Sequence, residues 1–427
     1  MLTVLLSIFF GLLFLGFPIY SVILLSSMTV FVVFYSNLPL TMVVQHCVDG
    51  IRIFTLLAVP LFIFSGKVMG SGLISEKLVN FVQTMLGHIP GGLAHTTVGS
   101  CAVFGAISGS TSATVASIGG AILPKLIKAG YRDTFCYGLI VNSSNLAALI
   151  PPSILMILYG VNVKASIGEL FISGIGPGII VAILFMIYCY FWARRNNVPL
   201  ERRATARERL RAAADAKWAL GLPVIILGGM FGGVFSPSET AAVAVLYSLI
   251  VEIYIHKALK WSEVPKIALE TGVLTAIVFI LLGASQFFSW VLTFSQVPQK
   301  LLAYLVSSPY MNKWTFLLLV NLSFFVACMI IDGAPAMLIM NPILYPIAIK
   351  YGIDPIHLGI IITMQTTIGA GTPPFGVNIF TACAVFKESY LRVIREGWVF
   401  IAILVVAAVI VSVFPQTALF LRDIVYR

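Results

Sequence analysis

Phe171–Trp192 runs for twenty-two residues without a charged side chain. About 20 consecutive apolar residues suffice for a helix to cross the hydrocarbon core of a bilayer. Tyr137–Tyr159 is another such run, and Trp218–Phe235, Glu239–Ile255 and Trp398–Val413 are strongly apolar too. Lipid offers no hydrogen-bond partners to the backbone, so chains that cross it repeatedly do so as helices or closed barrels. Runs of this length select helices. Across the chain 59% of residues are hydrophobic and 10% charged, against about 45–50% and about 25% in soluble domains. The expected fold class is therefore an all-α polytopic membrane protein, with residues 1–427 forming a single transmembrane domain. The N-terminal run through Tyr35 has no basic start, so it reads as a retained span and not as a signal peptide.

The net charge of +10 does not point to nucleic acid, because the basic residues sit in loops between apolar runs, where Lys and Arg mark the cytoplasmic side. Residues 194–217 form a basic loop with Arg194, Arg195, Arg202, Arg203, Arg207, Arg209 and Arg211. Lys125–Asp133, His256–Lys266 and Phe386–Glu396 are cytoplasmic by the same rule, and the parity of the intervening spans agrees. The six cysteines are scattered without C-x-x-C spacing and read as small apolar residues, not as disulfides or a transition-metal site. Ser236-Pro237-Ser238-Glu239 has the form of a helix start, with Glu239 as a cap or, alternatively, an ion ligand.

Sliding the chain against itself by 222 positions aligns Pro124, Ile127, Lys128, Gly130, Ile140, Ala148, Pro151, Pro152 and Ile157 with Pro346, Ile349, Lys350, Gly352, Ile362, Ala370, Pro373, Pro374 and Ile379. In the first copy the loop before the Pro-Pro segment is basic; in the second the basic loop follows it. Two copies crossing in opposite senses are the mark of secondary transporters, whose sites lie where interrupted helices meet at mid-membrane.

Each Pro-Pro pair interrupts an apolar segment behind polar or Gly-rich residues: Asn142-Ser143-Ser144-Asn145 before Pro151-Pro152, and Gln365-Thr366-Thr367-Ile368-Gly369-Ala370-Gly371-Thr372 before Pro373-Pro374. Proline removes a donor and pushes its predecessor out of the helix. The result is either a simple kink or an opened backbone lining a cavity. About forty residues upstream of each pair lie a small, hydroxyl-rich run, Phe104–Thr114, and its counterpart Asp332-Gly333-Ala334-Pro335. These read as tips of re-entrant helical hairpins or as close helix-packing motifs. Repeat 1 spans 88–160 and repeat 2 spans 314–385. Freed carbonyls and hydroxyls suit a hard cation such as Na⁺, and helix N-termini suit an anion. Asp332 is the acid placed deep in the second hairpin, as a cation or solute ligand or as an N-cap. No P-loop, H-E-x-x-H or paired-acid motif is present, which argues against an enzyme.

Taken in order, His88-Ile-Pro-Gly-Gly, Ser108-Gly-Ser-Thr-Ser-Ala-Thr, Ile150-Pro-Pro-Ser, Phe235-Ser-Pro-Ser-Glu-Thr-Ala-Ala, Asp332-Gly, Asn341-Pro-Ile and Gly369-Ala-Gly-Thr-Pro-Pro-Phe-Gly resemble the large membrane subunit of the tripartite ATP-independent periplasmic (TRAP) transporters over nearly the whole chain. The likeness to the divalent-anion/sodium symporters is more remote. The resemblance implies an inverted-repeat, elevator-type carrier of the ion-transporter superfamily in the bacterial inner membrane. It implies no cofactor, Na⁺ as coupling ion, a small membrane subunit, a periplasmic solute-binding protein, and an anionic, carboxylate-bearing substrate. The sialic-acid branch is the nearest likeness, with dicarboxylates and other sugar acids left open. Carried onto this chain, one Na⁺ site comprises Ser108, Ser110, Asn145, Ala147, Ile150 and Pro152. The other comprises Asp332, Gly333, Thr366, Thr367, Gly369, Thr372 and Pro374. The substrate would touch Ser110, Ser112, Asn145 and Asp332. A self-sufficient symporter of the same fold and a passive channel are the alternatives.

Overall fold

Helices take up nearly all of the backbone, as a lipid solvent requires, in a computed structural model that describes residues 1–71 and 73–426. The first apolar run is two helices and not one: α1 (Leu2–Phe14) and α2 (Ile19–Phe34) are separated where Gly16 adopts a φ of 80° and Pro18 lacks the amide to continue. α3 (Thr41–Asp49) meets a 3₁₀ turn at Phe54–Leu57 and α4 (Ala58–Gly70) across a 62° bend. α5 (Ile74–Leu86) follows.

The first helix–turn–helix pair comes next. α6 (Gly92–Ser108) stops at Gly109, whose φ of 60° reverses the chain. The return runs through α7 (Thr111–Thr114), a π-helical turn at Val115–Gly119 and α8 (Gly120–Lys128). α9 (Asp133–Ser143) and α10 (Leu146–Leu149) lead to a non-helical stretch at 150–153, from which α11 (Ile154–Val163) leaves at 43°. This is the break that Pro151-Pro152 dictates.

α12 (Ile167–Arg195) is a long apolar span. Residues 206–217, read from sequence as loop, are instead the first turns of α13 (Ala206–Phe231). Thr205 caps it: the Glu208 amide donates to its hydroxyl at 3.3 Å and the Thr205 amide donates to Glu208 Oε2 at 2.8 Å. Arginines at exposed helix positions are compatible with either state, so the capping box decided it. α14 (Pro237–Leu249), extended by π-helix to Ile255, begins with the same device. The Ser236 amide donates to Glu239 Oε2 at 2.8 Å, so Glu239 is a cap.

α15 (Val264–Phe294) and α16 (Val297–Ser307) lead to the second helix pair, α17 (Lys313–Ile330) and α18 (Gly333–Lys350), joined at Ile331-Asp332. α19 (Pro355–Ala370) is cut at 371–376 before α20 (Val377–Phe386). The chain finishes with α21 (Tyr390–Ile394), α22 (Gly397–Val413) and α23 (Gln416–Tyr426), the last two bent by 55°. Among the described residues, five helices are long and apolar enough to cross a membrane unaided, or up to eight counting each bent pair as one.

The 222-residue offset is visible in the backbone. Gly130 and Gly352 both have positive φ, and Pro151-Pro152 and Pro373-Pro374 share the same cis geometry. One residue out of that register, Lys164 and Lys387 both close their helices in the left-handed conformation. On the same body, α23 is fixed to the start of α19 by Arg422, which lies 2.8 Å from Asp354 and 4.0 Å from Glu169.

Candidate functional site

The turn of each helix pair packs on the break of its own repeat, and one small residue makes each contact possible. In repeat 1, Gly105 of α6 lies so close to Ala147 that a Cβ at 105 would come within 2.5 Å of the Ala147 Cα. In repeat 2 the matching contact is made with the roles exchanged: Gly369 of α19 faces Cys328 of α17. This accounts for Ala147 in one break standing where the other has Gly369. At the tips, Gly109 abuts the Pro152 carbonyl and Gly333 abuts Thr366.

Both tips open onto a single cavity of about 540 Å³. Its walls include Ser108–Ala113 from the first turn, Asp332–Ala334 from the second, Ala148, Thr366, Thr367 and Ala370 from the helices leading into the breaks, and faces of α4, α11, α15 and α20. Ser110 caps α7, accepting from the Ala113 amide at 3.4 Å, and its hydroxyl lies 3.3 Å from that of Ser112. The Ser108 hydroxyl is buried, 3.4 Å from Thr114 Oγ1. Thr366 and Thr367 each donate to a carbonyl of their own helix at 2.8 Å, which leaves their oxygen lone pairs available to a cation. Asp332 occupies the N-cap position of α18 and is exposed to the cavity.

The remaining expected residues lie behind this surface. Ala147, Ile150, Pro152, Gly369 and Thr372 do not line the cavity; they form the packed layer beneath the tips. Thr372 Oγ1 donates to the Ile368 carbonyl at 2.6 Å, and the Pro374 carbonyl accepts from the Tyr390 hydroxyl at 2.9 Å. Asn145, expected to touch the solute, is fully buried and absent from the cavity wall; its Oδ1 accepts from Asn378 Nδ2 at 2.8 Å. The turn of α10 rotates it inward, a direction that sequence spacing did not reveal.

Sequence reasoning passed over Lys67, Thr111 and Asn378. Lys67 of α4 lines the cavity and pairs with Glu270 of α15 at 2.9 Å. It and Asp332 are the charged members of the described wall. A lysine inside the apolar run Phe54–Gly70 was the available signal, since an ionisable residue within a span marks function by default.

Residues 6–417 match the family described as tripartite ATP-independent periplasmic transporter, DctM component. The chain belongs to this family. The permease is 46% identical over 97% of both chains to the ectoine/5-hydroxyectoine TRAP transporter large permease protein of Ruegeria pomeroyi. It is 45% identical, over the full length of both, to the ectoine TRAP transporter large permease protein of Halomonas elongata. The sialic acid TRAP transporter large permease protein of Vibrio cholerae stands at 33% over 97% of this chain and 96% of its own, so the sialic-acid expectation is not the one these likenesses favour. The Alcanivorax borkumensis YdaH transporter shares the fold, with a TM-score of 0.60 over 87% of each chain at 14% identity. The permease is thus a multi-pass bacterial membrane protein and not an enzyme. It takes up solute in a system that includes a periplasmic binding protein and a small permease subunit.

Proposed function

We propose that the permease carries a small carboxylate-bearing zwitterion of the ectoine kind across the bacterial inner membrane, driven by Na⁺, by elevator-type alternating access. The carrying observation is the cavity, bounded by both turns and by the helices entering both breaks. In this reading the two helix pairs are re-entrant hairpins entering from opposite sides, as the inverted basic loops require. The hairpins and broken helices move together past α4 and α15. Na⁺ is held at the two tip–break contacts, by hydroxyls such as Ser108, Ser110, Thr366 and Thr367 and by carbonyls of the opened backbone. Ectoine bears one carboxylate and one delocalised cationic group. The cavity offers Lys67 to the first and Asp332 to the second, while helix starts at Thr111 and Gly333 add donors. The two ectoine-named relatives support this substrate class above sialic acid.

The test is uptake of labelled ectoine into proteoliposomes holding the permease and its small subunit, with and without binding protein and a Na⁺ gradient. Accumulation is expected only with both. Uptake without binding protein would favour a self-sufficient symporter, and flux indifferent to Na⁺ a channel. Competition by sialic acid or a dicarboxylate, but not by unlabelled 5-hydroxyectoine, would refute the substrate class.

A further inference from the structure

We propose that Asn378 couples the first ion site to the solute cavity, so that Na⁺ and solute strengthen each other's binding through one buried amide. This rests on the reading of the permease as a Na⁺ symporter.

Asn378 is the second residue of α20, just beyond the second break, and is fully buried. Its Oδ1 accepts from Thr111 Oγ1 at 2.9 Å, and its Nδ2 donates to Asn145 Oδ1 at 2.8 Å and reaches Ser144 Oγ at 3.4 Å. One side chain therefore joins the first hairpin tip, the helix entering the first break and the helix leaving the second. Its partners lie 267 and 233 residues away in sequence. Thr111 is on the cavity wall, whereas Asn145 lies in the turn that leads into Ala147–Pro152. The amide thus spans from where solute sits to where the first ion is held.

The network is incomplete. Asn142 Oδ1, Ser143 Oγ and Asn145 Nδ2 are buried without partners, immediately beside the bonded pair. A buried polar network with missing partners responds to whatever supplies them. Two of these three atoms are oxygens suited to a hard cation, and the third is a donor that turns with the same side chain.

The other repeat has no such link. Displaced by 222, Thr111 becomes Gly333, which has no side chain; Asn378 corresponds to the apolar Met156; and Ser144-Asn145 become Thr366-Thr367, whose hydroxyls bond carbonyls of α19 itself. The threonine hydroxyls of the second site bond only within their own helix, while the asparagine of the first is tied to the other repeat. Solute held against Thr111 fixes the Thr111–Asn378 bond, and with it one of the contacts that hold Asn145. Binding at either place then changes the other's affinity by the same factor, as linkage demands.

The experiment is thermal unfolding of the purified permease with its small subunit, titrated with Na⁺ in the absence and presence of ectoine, and with ectoine at low and high Na⁺. In the parent, ectoine should lower the half-maximal Na⁺ concentration about tenfold, and Na⁺ should lower that of ectoine equally. Thr111→Val, which keeps the volume, and Asn378→Leu should bring the factor to within about twofold of one, with Na⁺ alone still stabilising. Thr111→Ser should restore it. The proposal is overturned if both variants keep the parental factor, or if each affinity drops while the factor is unchanged. Should Na⁺ stabilise the parent but ectoine leave its titration unmoved, the substrate class fails alone. The factor is then measured with sialic acid or a C4-dicarboxylate in place of ectoine, and a parental factor in Asn378→Leu overturns the coupling. A parent indifferent to Na⁺ removes symport and coupling together.

Discussion

Gly105→Ala adds a single methyl at the contact on which the proposed first ion site depends. The new Cβ would lie 2.5 Å from the Ala147 Cα, 3.0 Å from its Cβ and 3.1 Å from its amide nitrogen. Ordinary contact begins near 3.4 Å, and two of these three atoms are backbone. α6 must therefore recede from α10 by about 1 Å, since neither helix can yield locally. Overpacking of this kind costs about 1–3 kcal/mol. A binding constellation must be held within about 0.5 Å, so the displacement separates the Ser108 and Ser110 oxygens from the carbonyls before Pro152. A site that must close this gap again to bind Na⁺ incurs at most that cost, so at 1.4 kcal/mol per decade the half-activating Na⁺ concentration should rise by up to roughly 150-fold. The assay is Na⁺ activation of solute uptake in proteoliposomes with the binding protein, beside the unfolding midpoint of the purified complex. Adding Ala147→Gly removes the 3.0 Å contact but not those to Cα and nitrogen, so the double variant should recover only in part. A Gly105→Ala protein with parental Na⁺ activation and a parental unfolding midpoint would refute the argument.

Three other outcomes follow from single groups. Lys67→Gln should raise KM for a carboxylate solute about tenfold, the cost of a lost charged hydrogen bond, with Na⁺ activation unchanged and Lys67→Arg partly restoring it; an unaltered KM removes Lys67 from the solute path. Burial acts to raise the Asp354 carboxyl, but Arg422 and the His357 and Ile356 amides outweigh it and hold it below its ordinary value. A depressed folded pKa stabilises above the unfolded value of about 3.9 and is lost as pH falls through the folded one. Arg422→Gln should thus cost about 1–3 kcal/mol at pH 7, by unfolding of the purified complex, and the gap to parent should narrow below about pH 4; a gap independent of pH would contradict this. Ser236→Ala should cost about 1 kcal/mol through the lost cap of α14, leaving Na⁺ activation unchanged; altered activation would return Glu239 to the ion path.

The breaks were legible because proline acts locally: Pro151-Pro152 and Pro373-Pro374 open the backbone whatever surrounds them. The turns at Gly109 and Asp332 were legible as small or polar residues amid apolar sequence. The 62° bend between α3 and α4 was not; Gly50 at its start packs against Gln286 of α15, a contact that no local pattern encodes. Asn145 shows the same limit within the site. Its type suggested a ligand, but its direction is set by Asn378, 233 residues away. Lys67 was overlooked for a different reason: it lies outside both repeats, on the wall facing them, where internal symmetry gives no guidance.

The exchanged glycines of the two tip contacts show what duplication has to preserve. Gly105 against Ala147, and Cys328 against Gly369, meet the same steric demand from opposite sides, so either helix of such a pair can supply the missing side chain. Two halves that share a backbone plan can therefore differ in residue type at such a contact and still pack alike. Internal comparisons that score one column at a time will underestimate how closely the halves correspond, whereas scoring facing pairs would register the likeness.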